Sequence, residues 1–279
     1  MLGPTAVGKT DRSISLAQQY DSPIISCDSR QLYREMSIGT AVPSKALLEA
    51  VKHYFIQDRS IFDGTYTAGK YELEAVALME KLFAEGHETL IMAGGSGFYI
   101  DAVCNGLDDF PPADETLRAE LMARLRNEGV ESLRLDLKAL DPESYATIDI
   151  ANGQRVVRAL EVCLMTGRKF SSFKTSPSKK RSFEIEKIGL ERPREELYAR
   201  INSRVDQMVR DGLVEEARSL YEYRELPALQ TVGYRELFDH FEGKTDFETA
   251  VELIKRNTRH YAKRQLSWWG RDSSIKWFG

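Results

Sequence analysis

Apolar residues recur with two different periods along this chain, and the change from one to the other divides it. Short apolar runs occur in "SPIISCDS", "HYFIQD" and "TLIMAGGSGFY". Between them lie stretches with helical spacing: residues 8–20, and residues 67–85, where Ala68, Tyr71, Ala75, Leu78, Met79, Leu82 and Phe83 share one face. Gly86 is placed to end that second helix. Short strands alternating with helices predict a mostly parallel sheet, which binds ligands at the carboxyl ends of its strands. From about residue 107 the strand signal stops. The double proline of "LDDFPPADETLRAELMARLRNEG" leads into a helix after Asp114, a short helix in "DPESYATID", and a third in "NGQRVVRALEVCLMTGRK", with Val156, Leu160, Val162 and Leu164 as packing residues. "KTSPSKKRS" then reads as a mobile basic loop. A strand pattern returns in "EIEKIGLER", and the chain finishes in helices, the first opened by Pro193 with Glu195 and Glu196 in its first turn.

At the amino end stands "GPTAVGKT", residues 3–10, with the G-x-x-x-x-G-K-[ST] spacing of a phosphate-binding loop. Gly3, Pro4, Thr5, Ala6, Val7 and Gly8 supply backbone N–H groups that cradle phosphate oxygens. Lys9 adds a charge, and the Thr10 hydroxyl can reach a magnesium ion. The following helix brings its positive end to the same place. Such loops normally follow a buried apolar strand, yet only Met1 and Leu2 precede this one, so either the chain is a little short at its amino end or that strand is a stub. The expected fold is α/β, a P-loop NTPase-like parallel sheet flanked by helices over residues 1–110 and 182–279. A helical insertion occupies residues 111–181.

Composition sets limits. The 279 residues, 42% of them hydrophobic, suffice for one good core and a smaller domain. No run approaches the length of a membrane span, no signal peptide is evident, and three widely spaced cysteines suggest neither disulfides nor zinc. A reducing cytoplasm and a monomer, with no membrane partner, are expected. The net charge of −4 conceals a strong asymmetry. Residues 105–150 hold eleven acidic against five basic residues, residues 154–182 eight basic against Glu161 alone, and residues 251–279 seven basic against two acidic. Each basic segment by itself suits a solvated helix face; two of them beside a phosphate loop also suit a nucleic-acid surface.

Asp28 follows directly on an apolar run and has two readings, a helix N-cap or a base at the end of a strand. Arg30, Gln31 and Tyr33 place a charge, an amide and a stacking face beside it, as a nucleotide base would need. "GGSG" is either a tight turn or a place where backbone approaches a ligand, with the Ser96 hydroxyl in it. A hydrolase would want a carboxylate where "TLIMAGGSG" has glycines, which weakens that reading. Val156 and Leu160 sit in a segment that an ordinary amphipathic helix with exposed arginines also explains. Trp268, Trp269 and Trp277 read as core, and the four histidines as without a catalytic role.

The ordered set "GPTAVGKT", "DSRQLY", "IGTAVPS", "GGSGFY", "PPADETLR", "NGQRVVRALEV" and "RHYAKRQLSWW" resembles the tRNA dimethylallyltransferase family across nearly the whole chain. Two departures are the near-absent first strand and Ser96 where threonine is usual. The resemblance implies transfer of a dimethylallyl group from dimethylallyl diphosphate to N6 of adenosine 37, just 3′ of the anticodon. The phosphate loop would hold the diphosphate as leaving group, with magnesium at Thr10 as cofactor. Asp28 matches the family's base. Ser96 would act as a hydrogen-bond donor, and Arg118 as a phosphate or tRNA contact. Asp28, Ser29, Arg30 and Gln31, together with Gln154, Arg155, Val156, Val157 and Arg158, match tRNA-contacting stretches. Lys263 and Arg264 are added from their position in the basic C-terminal helix. The partners implied are the tRNA anticodon stem-loop and dimethylallyl diphosphate. An adenylate isopentenyltransferase, a small-metabolite kinase and an inactive tRNA-binding protein are the rival readings.

Overall fold

The computed structural model describes residues 1–175 and 179–279, in two compact units. Of the tract expected to be a basic loop, residues 176–178 lie outside the described residues.

The first unit comprises Met1–Cys104 and Lys180–Gly279. Its strands are β1 (Ile24–Ser26), β2 (His53–Tyr54) and β3 (Ile91–Ala93), in the order β2-β1-β3, and β4 (Ile188–Leu190) paired with β5 (Lys276–Phe278). Every pairing is parallel. Met1 and Leu2 join the two sets. Gly94 N–H donates to the Met1 carbonyl at 3.3 Å, Leu2 N–H to Ile188 O at 2.9 Å, and Leu190 N–H to Leu2 O at 2.9 Å. Leu2 bridges to Gly189 as a single strand residue. Only two residues of "HYFIQD" pair as strand, because Phe55 and Gln57 take left-handed backbone angles that end the ladder.

Around the sheet lie α1 (Lys9–Gln19), α2 (Lys45–Ala50), α3 (Ala68–Ala84), α4 (Gly97–Asn105), α9 (Arg194–Arg210), α10 (Leu213–Ser219), α11 (Tyr234–Phe241) and α12 (Phe247–Trp269). The predicted apolar face of α3 is buried at Ala68, Tyr71, Ala75, Met79 and Leu82. The helix ends just before Gly86, whose φ of 103° ordinary side chains resist. In α12 the buried face runs through Ala250, Ile254, Ala262, Gln265 and Trp269. Trp269 is core as expected, but Trp268 is 42% exposed and donates its indole N–H to Asp101 at 2.8 Å, since it stands one residue off that face.

The second unit, Asn105–Lys179, is helical: α5 (Glu115–Glu128), α6 (Val130–Leu140), α7 (Pro142–Thr147) and α8 (Gly153–Thr166). Asp114 caps α5 by accepting from Thr116 and Leu117 N–H, and Asn152 caps α8 by accepting from Arg155 N–H. Gly167, at φ 65°, ends α8. The core of this unit is Leu121, Leu133, Leu137, Val156, Val157, Ala159 and Leu160. Leu164, expected to pack, is half exposed in the last turn of α8. Beneath the surface Glu161, fully buried, accepts from Asp114 N–H (3.0 Å), Arg118 (2.7 Å) and Arg158 (2.9 Å).

Leu160 touches this core with no exposed surface. Leu160→Ala should cost about 2–5 kcal/mol, the range for truncating a buried leucine. Chemical denaturation followed by hydrogen exchange should place the lost protection within residues 105–179.

Candidate active site

The first unit gathers three chain segments at the carboxyl edge of its sheet: the phosphate loop after Leu2, Asp28 after β1, and Gly94 and Gly95 after β3. Together they line a cavity of about 340 Å³ that also receives Gln31, Thr40–Pro43, His53, Arg200, Arg204, Tyr261 and Gln265.

The loop is shaped by its own backbone and by cations behind it. Gly3 has φ 151°, and a Cβ there would lie 2.7 Å from the Leu190 carbonyl oxygen. Ala6 holds a left-handed φ of 64° without glycine's freedom, a strained conformation kept at a ligand loop. The carbonyls of Ala6 and Val7 accept from Arg200 Nε and Arg192 Nε, each at 2.8 Å. Those of Gly3 and Pro4 accept from Lys9 Nζ, again at 2.8 Å. With these four carbonyls engaged by cations, and the N–H groups of Thr5 and Val7 donated within the protein, the other loop N–H groups and the start of α1 are left to meet an anion. Lys9 is partly exposed as a residue, yet its ammonium is turned inward. Burial lowers its pKa to about 8, partly offset by the charge of Asp28. Burial, with Arg200 alongside, also lowers the pKa of Arg204.

Asp28 caps no helix: α2, the next one, begins at Lys45. Its Oδ1 instead accepts from the backbone of Arg30 (2.9 Å) and Gln31 (3.4 Å), an Asx turn that folds residues 28–31 over the strand end. Ser96 sets the height of that turn. Its Oγ accepts from Ser29 N–H at 2.9 Å and donates to Ser29 Oγ at 3.1 Å, while its own N–H reaches the Cys27 carbonyl. Gly94 fits because a Cβ there would meet the Cys27 carbonyl at 2.5 Å. Gln31 Nε2 donates to Thr40 O and Ala41 O, fastening the strap of residues 37–43 that walls the cavity. At the far end of the strap Glu216 accepts from the N–H groups of Ser37, Ile38 and Gly39, and from the Tyr234 hydroxyl.

The remaining residues expected from sequence divide by unit. Lys263 and Arg264 are exposed on α12. In the second unit Gln154 and Arg155 are exposed, but Val156 and Val157 are buried in the core and present no side chain to a partner. Arg118 and Arg158 share the Glu161 carboxylate, and Arg158 also donates to Pro111 O at 2.7 Å. Sequence reasoning passed over Arg192, Arg200, Arg204 and Gln265. Arg200 and Arg204 lie on α9 and Arg192 just before it, far along the chain and with no motif to mark them. Gln265 carried a signal, a polar residue three positions after Ala262 and four before Trp269 on a buried face.

Fold and site define a P-loop α/β protein in which the phosphate loop shares a cavity with an aspartate at the end of β1, with β3 lying between the two segments. Comparison with known proteins specifies it further. Residues 31–272 match the sequence family described as IPP transferase. The tRNA dimethylallyltransferase of Christiangramia forsetii is 51% identical over this whole chain and 91% of its own length. The tRNA dimethylallyltransferase 1 of Bacteroides fragilis is 48% identical over the whole chain and 92% of its own length. Among solved structures, the full-length tRNA isopentenylpyrophosphate transferase of Bacillus halodurans superposes with a TM-score of 0.72 at 36% identity, covering 99% of this chain and 88% of that one. A eukaryotic dimethylallyltransferase acting on tRNA superposes with a TM-score of 0.82 at 26% identity, over 99% and 72%. The chain belongs to the IPP transferase family.

The inward Lys9 has a consequence for stability. Its folded pKa, about 8, lies below its unfolded value of 10.5, so between these the unfolded chain holds a proton that the folded chain lacks. The penalty of burying the charge is complete below pH 8 and fades as pH rises to 10.5. Lys9→Met should therefore be more stable than wild type near pH 7, with the gap closing toward pH 10 in paired urea titrations. A gap independent of pH would show that the ammonium is solvated in the folded protein.

Proposed function

We propose that this chain transfers the dimethylallyl group of dimethylallyl diphosphate to the exocyclic N6 of adenosine 37 in a tRNA anticodon loop, releasing diphosphate. One observation carries the reading: the phosphate loop and Asp28 line the same cavity, as a leaving-group site and a base must if a bond forms between them. The phosphate loop here serves a leaving group, and no phosphoryl group moves. The C1–O bond of the allylic diphosphate breaks as the N6–C1 bond forms. The electron pair of the broken bond leaves on diphosphate, and the proton displaced from N6 passes to Asp28. Since Oδ1 is engaged by the backbone of residues 30 and 31, Oδ2 is the oxygen assigned to that proton.

Lys9, Arg200, Arg204 and the loop N–H groups are the donors assigned to the growing charge on diphosphate. Thr10 lines the same cavity, and among the described residues no cluster of three or more His, Cys, Asp or Glu side chains is placed to hold a metal alone. That donor set fits magnesium, which keeps water and takes substrate phosphate oxygens beside one protein oxygen. Bound there, magnesium would offset diphosphate charge. Ser96 touches Ser29 rather than the cavity's anion-binding side, so its assigned part is to hold the Asp28 turn. An adenine must leave its stack to enter such a cavity. Ser29, Arg30 and Gln31 stand beside Asp28 for that step. Lys263, Arg264, Gln154 and Arg155 are the exposed residues assigned to the RNA backbone. Arg118 and Arg158 join them through whatever charge Glu161 leaves unbalanced.

Incubation of the protein with an anticodon stem-loop, dimethylallyl diphosphate and magnesium, followed by nucleoside mass spectrometry, tests the reaction. One five-carbon addition on adenosine is expected; addition to free AMP in preference to the stem-loop would favour the adenylate enzyme. Asp28→Asn keeps the acceptor for residues 30 and 31 but cannot take the proton. Its single-turnover rate should fall by roughly 10²–10⁴-fold with an unchanged melt, and a near wild-type rate would remove Asp28 from the mechanism.

Arg155→Ala should lower stem-loop affinity and reduce the log–log salt slope by about one. Arg158→Ala is the poorer probe, because it also strips a partner from buried Glu161. An unchanged salt slope in Arg155→Ala would return α8 to a purely structural part.

A further inference from the structure

Gln265 is buried, 5% exposed, and spends both ends of its amide on two different loops of the site. Its Oε1 accepts from the Thr5 N–H of the phosphate loop at 2.9 Å, and its Nε2 donates to the Gly95 carbonyl at 2.7 Å. We infer that Gln265 is a positioning residue which sets the distance between the leaving group and the base, and that Gly95 is glycine in order to admit it. The inference rests on the reaction proposed above.

The connection can be followed atom by atom. Thr5 lies in the loop assigned to diphosphate, and Gly95 immediately precedes Ser96. Ser96 Oγ accepts from Ser29 N–H, and Ser29 adjoins Asp28. One planar amide thus links the diphosphate side of the cavity to the turn that carries the base. An amide offers an acceptor and a donor at fixed separation, so neither loop can shift relative to the other without breaking a contact. Reacting groups tolerate little such error: a misplacement of about 1 Å can cost on the order of 100-fold in rate. The side chain is itself held, since its helix buries Ala262 and Trp269 on either side of it.

Gly95 is the matching half. A Cβ built there would stand 2.5 Å from Gln265 Nε2, and its nearest contact outside Gln265, Lys9 Nζ, is at an unstrained 3.9 Å. The glutamine amide is therefore what a side chain at 95 would strike. Gly95→Ala should displace it, with the same effect as deleting it.

A double-mutant cycle tests the pair. Gln265→Ala should lower the single-turnover rate constant about 10–100-fold while stem-loop affinity holds. Gly95→Ala should cause a comparable loss, and the double variant should be no worse than Gln265→Ala alone. That rate constant does not depend on the folded fraction, so a role in stability alone would lower the melting temperature and leave it unchanged. Losses that multiply in the double variant, or a wild-type rate constant in Gln265→Ala, would overturn the inference. Gln265→Glu, of the same shape, keeps the Thr5 contact but opposes an oxygen to the Gly95 carbonyl. It should also be slow, and a wild-type rate there counts equally against the idea. The affinity of the four cycle proteins for inorganic pyrophosphate needs no turnover. Gly95→Ala should weaken it in the wild-type background and not in Gln265→Ala. A wild type that transfers nothing would sink the proposed reaction, and the pyrophosphate cycle would still decide the part of Gln265.

Discussion

Parallel pairing of very short strands is the constraint on which the rest of the site depends. β1 and β3 each contribute three residues, and Leu2 contributes one, yet all run the same way. Their carboxyl ends therefore fall at one edge, and the loops that leave them must share it. The phosphate loop, Asp28 and Ser96 come together for that reason and not through any direct bond among all three. Gly94 makes the approach possible, since a side chain there would strike the Cys27 carbonyl.

Positive charge is the second organising feature of the cavity. Lys9, Arg192 and Arg200 all bind loop carbonyls, and Arg204 Nη1 reaches Thr5 Oγ1 at 3.4 Å. Cations that hold the loop from behind do two things at once. They satisfy carbonyls that would otherwise repel an anion, and they raise the potential where the anion sits. Burying such groups costs stability, visible in the lowered pKa values of Lys9 and Arg204. Sites commonly carry that cost in exchange for charge placed before the ligand arrives.

The second unit shows how a buried charge reassigns residues whose type suggested another part. Glu161 was the one acid in a strongly basic segment. With no exposed surface, it requires partners, and Arg118, Arg158 and the Asp114 N–H provide them. The same cluster ties the start of α5, after the double proline, to the middle of α8. Arginines that spacing alone makes look available for RNA are thus partly structural, while Arg155, one turn earlier, is exposed.

The sequence by itself determined most of the helices, though not α2 or α6, together with the parallel α/β class and the phosphate loop, because helical periodicity, capping residues and the G-x-x-x-x-G-K-[ST] spacing are local. It also marked Asp28, which directly follows an apolar run that becomes a strand, and Ser96, which follows another such run across two glycines. Its readings departed from the structure where burial was decided elsewhere: Val157 turns into the core of the insertion beside Val156, Leu164 stays half exposed, and Trp268 turns out of the core of the sheet unit. Only the tertiary structure decided that Gln265, 260 residues from Thr5, closes the loop against Gly95, and that Arg192 and Arg200 brace it. Contacts between residues so far apart depend on how whole elements pack, and no period, cap or spacing within one segment encodes them.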